Sequence, residues 1–433
     1  MVNRNLARSL LALLLALILP LACAETGTES YTLTWADAPA LESVPESYDE
    51  ADAPTLEGVP VFSETSDDLP DPDALFPDAL PTDAVLTPEQ ILADLTLREK
   101  IGQMFIVRPE KLSFEYRGAE PVRVDGGKTA LTDVMRAAYT RYPVGGFVLF
   151  AENIEDPPQL RQFLADLNSL CPVTPFLAVD EEGGRVARLA NKASMGLDNV
   201  GSMGSIGETG DAEQAFAAGA AIGAYLSDYG FTLDFAPVAD LQGPVIGNRS
   251  FGTDPEGVSS MAGAFIEGLH SQGVMSCLKH FPGLGSSVSD THAGAAEIEK
   301  TGAEMLSSDL IPFIDNLNAT DMVMVSHASM TGMLNDDTPA SLSPQIITQG
   351  LRGRLGYTGV VITDSLEMRA VTGRYKSAEA AVTAISAGAD ILLMPSSLIS
   401  AFDGVVAAVE DGRISEGRID ESVLRVLRLK LGG

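Results

Sequence analysis

The densest run of chemistry-bearing side chains is Lys279-His280-Phe281-Pro282-Gly283-Leu284-Gly285-Ser286-Ser287-Val288-Ser289-Asp290-Thr291-His292. It follows an apolar stretch, Gly273 to Leu278, that reads as a buried strand. Lys279 and His280 stand at the strand end, and a Pro-Gly-x-Gly turn stops it. A small polar loop then closes on Asp290 and His292, two residues apart. A carboxylate beside an imidazole can hold one ring nitrogen and fix the tautomer, which leaves the other nitrogen for proton transfer. An Asp-x-His on a solvated loop does nothing of the kind, so the rest of the chain has to decide.

Three further stretches carry polar groups in suggestive places. Asp180-Glu181-Glu182-Gly183-Gly184-Arg185-Val186-Ala187-Arg188-Leu189 reads either as a strand end with a Gly-Gly turn and solvated charges or as a binding element. In the second reading Asp180 accepts two sugar hydroxyls and Arg188 is a fixed donor fork. Gly247-Asn248-Arg249-Ser250-Phe251-Gly252 offers Arg249 as a surface ion pair or a second polar clamp. Ile362-Thr363-Asp364-Ser365-Leu366-Glu367-Met368 delivers one carboxylate, Asp364, directly from an apolar strand.

The elements that position these residues form a regular series. Apolar runs occur at 103–107, 145–150, 175–179, 232–236, 273–278, 322–325, 359–362 and 389–394, separated by helical segments. Short runs that are apolar throughout suit parallel strands buried on both faces. Eight β/α repeats predict an α/β fold, a single TIM-type (β/α)8 barrel. A doubly wound open sheet is the structural alternative, but no Gly-x-Gly-x-x-Gly follows the first strand. Asp180 follows the third strand, Lys279 and His280 the fifth, Ser326-His327 the sixth and Asp364 the seventh. In a TIM barrel these ends meet at one rim, and several charges converging there are costly to desolvate unless they serve a ligand.

Composition narrows the function classes. A net charge of -32 argues against nucleic acid, whose phosphates require a basic face, and against an electrostatic hold on anionic lipid. Residues 1–24 read as a secretory signal: Arg4 and Arg8 precede an apolar core from Leu10 to Leu21, too short for a membrane span. Ala22-Cys23-Ala24 is a small-x-small cleavage site; Leu21-Ala22-Cys23 reads equally as a lipoprotein box with Cys23 lipidated, although Pro20 stands where an aliphatic residue is usual. Both readings export the protein, and a lipid anchor would be its one link to a membrane. Residues 25–88 form an acidic Pro-rich linker with no Lys or Arg, too poor in apolar periodicity to build a core. It holds the sole tryptophan, Trp35, and an imperfect repeat beginning at Ala36 and again at Ala51. The folded part, 89–433, opens with Thr87-Pro88-Glu89-Gln90, an N-cap and first turn. Cys171 and Cys277 read as buried thiols, with a disulfide between them as the alternative.

Taken together these stretches resemble glycoside hydrolase family 3, and within it the β-N-acetylglucosaminidase branch. The resemblance covers about residues 90–433, and its most specific element is Lys-His-Phe-Pro-Gly-x-Gly-x-x-x-x-Asp-x-His at 279–292. It implies that Asp364 is the nucleophile, His292 the acid/base and Asp290 its partner. It implies that Asp180, Arg188, Arg249, Lys279 and His280 bind sugar. Two positions depart from the branch: Leu284 replaces a usual His, and Ser365 replaces an Asp that often follows the nucleophile. Neither change removes a catalytic group; Leu284 alters the polarity of the loop and so bears on subsite preference.

The residue types suit that chemistry. Retaining glycoside hydrolysis requires a carboxylate to trap an oxocarbenium-like carbon and a proton donor for the leaving oxygen. The expectation is an exported, monomeric exo-β-N-acetylglucosaminidase that removes terminal β-GlcNAc from peptidoglycan fragments or chitooligosaccharides, with no cofactor and no metal. A loop-borne acid further suggests that Gly283–Ser289 swings between the two steps. Within the family, a β-glucosidase and a β-GlcNAc phosphorylase are alternatives. Outside it stand a metal-dependent hydrolase, which lacks the usual ligand spacings, and a non-catalytic cell-wall sugar-binding protein.

Overall fold

The computed structural model describes residues 86–118, 120–287, 296–334 and 336–432. The segment expected to be a signal, Cys23, Trp35 and residues up to 85 lie outside them, as do Asp290 and His292.

Eight parallel strands form one ring. They are β1 (Phe105–Val107), β2 (Gly146–Leu149), β3 (Phe176–Val179), β4 (Leu233–Asp234), β5 (Met275–Phe281), β6 (Met322–Val325), β7 (Val360–Thr363) and β8 (Leu392–Leu393). Each pairs with its sequence neighbours, and β8 returns to β1 through Phe105–Leu392 and Ile106–Leu393. Between β7 and β8 closure is thinner: one bridge, Ile362 to Ile391, and a Thr363 N–H to Ile391 carbonyl bond of 3.0 Å. The sheet is thus a nearly closed TIM-type barrel, and the open-sheet alternative is excluded because both edges meet. All eight apolar runs became strands, which is what continuous burial on both faces requires.

Helices alternate with the strands outside the ring, and local sequence starts them. Thr87 caps Pro88–Asp94 in a capping box with Gln90, as its spacing predicts. Asp156 and Asp254 cap Pro157–Leu170 and Pro255–His270, each with proline in the first turn, where its missing N–H costs nothing.

The two-residue period of a strand decides what reaches the site. Phe176 and Ala178 of β3, Cys277 of β5 and Val360 and Ile362 of β7 belong to the barrel's interior cluster. The next positions on the same face are Asp180, Lys279 and Asp364. The other end of the barrel is stopped by the C-terminal helix Glu416–Lys430. Val426 packs into the interior cluster with Leu429 against it, and Lys430 Nζ donates to the Gly145 carbonyl at 2.7 Å and Gln103 Oε1 at 2.8 Å. The barrel is therefore open at the strands' C-terminal ends, where the polar residues converge.

Candidate active site

A cavity of about 520 Å³ opens at that end. Its lining includes Asp180, Arg188, Arg249, Lys279, His280 and Asp364, six of the eight residues singled out from the sequence. The remaining two, Asp290 and His292, lie outside the described residues.

One wall is a network of alternating charge. Lys279 Nζ contacts Asp180 Oδ1 at 2.8 Å and Glu182 Oε1 at 2.7 Å. Arg188 reaches Asp180 Oδ2 at 3.3 Å. Arg249 grips Glu182 with a bidentate pair, Nε to Oε2 and Nη2 to Oε1, both 2.7 Å. Arg249 is thus a largely buried ion pair in the cavity lining and not a surface pair. Burial alone would raise Glu182, but Lys279 and Arg249 hold it well below the usual carboxylate range. Burial would lower Lys279 and Arg249, and the carboxylates around them raise both above their ordinary values. All three groups are charged, and each is neutralised by a neighbour, which is what buried charge requires.

His280 enters this wall through a bulge. The β5–β6 ladder steps from Met324–Lys279 to Val325–Phe281, so His280 is an extra residue on its strand. Both Lys279 and His280 therefore line the cavity, although neighbours on a strand ordinarily face opposite sides. His280 Nδ1 lies 2.7 Å from Asp240 Oδ2, and Nε2 lies 3.5 Å from Arg249 Nη2. A hydrogen on Nδ1 directed at the carboxylate leaves Nε2 on the cavity side.

Asp364 stands across the ring, since β7 and β3 are four strands apart. The Ser365 N–H donates to its Oδ1 at 2.7 Å. Behind it His327 is buried, with Nε2 donating to the Ser365 carbonyl at 2.8 Å and Nδ1 2.6 Å from Ser341 Oγ. Burial would raise Asp364, but His327, His280, the Ser365 N–H and Lys279 together bring it below its ordinary value. An ionised carboxylate, held at one oxygen and presented at the end of a strand, is what a nucleophile must be.

The stretch leading to Asp290 and His292 is described as far as Ser287. Leu284 N–H donates to Asp240 Oδ1 at 2.7 Å, and Leu284 itself lines the cavity at 5% exposure. A Cβ on Gly243 would fall 1.7 Å from the Gly285 carbonyl oxygen, so the two backbones touch and only glycine fits. Gly283–Ser287 is a packed stem, and the rest of the segment expected to swing, Val288 and Ser289, lies outside the described residues.

Two contributors, Glu182 and Asp240, were not singled out from the sequence, and His327 was placed at the rim without a role. Glu182 belongs to the Asp180 run but reads there as a solvated charge; its place two residues after Asp180 was the available signal. Asp240 and His327 gave weaker signals, since their roles depend on partners 40 and 38 residues away. Cys171 and Cys277 are both free and buried, so the disulfide alternative does not hold. Among the described residues no group of His, Cys, Asp or Glu is arranged to hold a metal ion.

Residues 96–429 match the glycosyl hydrolase family 3 N terminal domain. The chain belongs to glycosyl hydrolase family 3. Among its relatives, beta-hexosaminidase A of Pseudoalteromonas piscicida is 30% identical over 370 residues, covering 78% of this chain and 61% of that protein. The beta-hexosaminidase of Chromobacterium violaceum is 36% identical over 280 residues, covering 63% and 78%. Among solved structures, a glycoside hydrolase family 3 beta-N-acetylglucosaminidase from Paenibacillus sp. str. FPU-7 aligns with a TM-score of 0.70 at 35% identity, covering 78% of this chain and 62% of its own. M tuberculosis LpqI aligns at 0.69 and 30%, covering 80% and 96%. The family 3 chain thus spans about three fifths of the Pseudoalteromonas and Paenibacillus proteins.

Proposed function

We propose that the family 3 chain is an exported, retaining exo-β-N-acetylglucosaminidase that acts on peptidoglycan fragments or chitooligosaccharides. Asp364 attacks the anomeric carbon and forms a glycosyl-aspartate; His292, paired with Asp290, protonates the leaving oxygen and then activates water. Asp180, Arg188, Arg249, Lys279 and His280 hold the terminal sugar. The observation that carries this reading is Asp364: a carboxylate held below its ordinary value at a strand end, facing across the cavity a wall of paired charged side chains. The relatives' names agree with a β-GlcNAc substrate.

The test compares release of p-nitrophenol from the β-GlcNAc and β-glucose glycosides by wild type, Asp364→Asn and His292→Ala. The expected pattern is GlcNAc-specific release, abolished by Asp364→Asn; His292→Ala should keep the first-turnover burst, because p-nitrophenolate leaves without a proton, but turn over slowly, because water is no longer activated. Cleavage of the glucoside alone would move the chain to another branch of the family. Silence on both would favour a sugar-binding protein.

A further inference from the structure

The carboxylate of Asp240 is fully buried and has two separate clients. Oδ2 accepts from the His280 backbone N–H at 3.2 Å and lies 2.7 Å from His280 Nδ1. Oδ1 accepts from the Leu284 N–H at 2.7 Å. One client lines the cavity and the other begins the stem that leads in sequence to Asp290 and His292. The stem is held from its far side as well. Asp309, buried and paired with Lys300 at 2.5 Å, packs where a Cβ on Gly283 would fall 2.8 Å from its own Cβ.

We propose that Asp240 is a positioning residue that sets the sugar-binding His280 and the stem of the acid/base loop in one fixed register. The chemistry requires a carboxylate and not an amide. The His280 backbone and the Leu284 backbone both present N–H donors, and His280 Nδ1 adds a third. Two carboxylate oxygens can accept from all of them. An asparagine has one accepting oxygen, which stays on the side with two donors, at His280, so its NH2 faces the Leu284 N–H and that client is released. The consequence is specific. Loss at His280 weakens the grip on the sugar whatever the leaving group. Loss at Leu284 displaces the stem and weakens the step that needs a proton, hence only substrates with a poor leaving group.

This inference rests on the proposed role of His292, so the experiment separates the two. Wild type, Asp240→Asn, Asp240→Glu, His280→Gln and His292→Ala are compared on p-nitrophenyl β-GlcNAc and on the β-1,4-linked GlcNAc disaccharide. The readout is the ratio of the two kcat/KM values, which is independent of how much of each sample is folded. His280→Gln should lower both values alike and leave the ratio near wild type. Asp240→Asn should lower the disaccharide value at least about tenfold more than the aryl value, and Asp240→Glu should do the same to a lesser degree. If both Asp240 variants keep the wild-type ratio, as a merely structural role or an action through His280 alone would give, the inference is overturned. If His292→Ala also keeps the ratio, it is the acid/base assignment that fails.

Discussion

Lys279 and Glu182 meet at 2.7 Å with each side chain only 2% exposed. Neither could be buried alone, and the pair ties β5 to the hairpin that follows β3 (Glu181–Gly183 with Val186–Ala187). The wall that would grip the sugar is therefore also a structural joint.

Glu182→Gln should cost both stability and activity. It removes the charge that neutralises Lys279 and Arg249, and breaking one member of a buried pair costs about 3–5 kcal/mol. Urea denaturation should show a midpoint well below wild type, with kcat/KM reduced more than the folded fraction accounts for. The pH dependence has a definite sign. Glu182 is depressed on folding, so its contribution is complete above the unfolded carboxylate value and is lost as pH falls through the folded one. Wild type should keep this contribution through mildly acidic pH and lose it only in strong acid. A midpoint unchanged by Glu182→Gln would show that the joint is held elsewhere.

The rate of the first chemical step should follow the ionisation of Asp364. Its value lies below that of an ordinary carboxylate, so the acid limb of the pH profile should lie on the acid side of the usual carboxylate range. His327→Gln removes a group that lowers Asp364, and the acid limb should move upward. Asp364→Asn should cost at least about a thousandfold in kcat/KM on every substrate. Profiles of kcat/KM for the three proteins on p-nitrophenyl β-GlcNAc check both statements. An acid limb that stays in place in His327→Gln would separate it from Asp364.

The barrel was legible because each strand lies in a short, mostly apolar run, and burial on both faces leaves that trace in sequence. Asp180, Lys279 and Asp364 were legible for the same reason, as the first polar residues after such runs. The extension of β5 through Lys279 and His280 to Phe281 was not, since polar residues in mid-strand read as its end. The joint role of Glu182 and the brace from Asp240 were hidden too. Both are set by contacts between distant segments, and neither residue differs locally from a solvated acid.

Asp390 should matter for stability and not for turnover. It is fully buried at the closed end of the barrel, just before β8. Arg352 donates to it at 2.5 Å, Ser422 at 2.5 Å, Arg425 at 3.2 Å and the Val361 N–H at 2.9 Å. Two of these donors ride on the C-terminal helix, so one carboxylate fastens that helix to the ring where β7 and β8 are thinly joined. Asp390→Asn leaves Arg352 without its counter-charge and Arg425 with Glu421 alone, at a cost of about 3–5 kcal/mol. The urea midpoint should drop accordingly, while kcat/KM at 25 °C stays at wild type. A drop in kcat/KM with an unchanged midpoint would mean that the closed end communicates with the cavity.

Lys430 makes the closed end sensitive to pH. Its ammonium lies 4.7 Å from the centre of the Phe176 ring, beneath the barrel interior, and burial pulls it down to about 7. In the unfolded chain the same group titrates near 10.4. Between these values the unfolded state holds the proton and the folded state has released it, so stability rises with pH across that interval and is penalised below it. The slope from this one group is at most about 1.4 kcal/mol per pH unit. Lys430→Met keeps the aliphatic stem against Phe176 and removes the titration. The difference in melting temperature between wild type and Lys430→Met should therefore shift in favour of wild type as pH goes from 6 to 9. A constant difference across that range would place the Lys430 proton in the folded state throughout, held by Gly145, Gln103 and the face of Phe176.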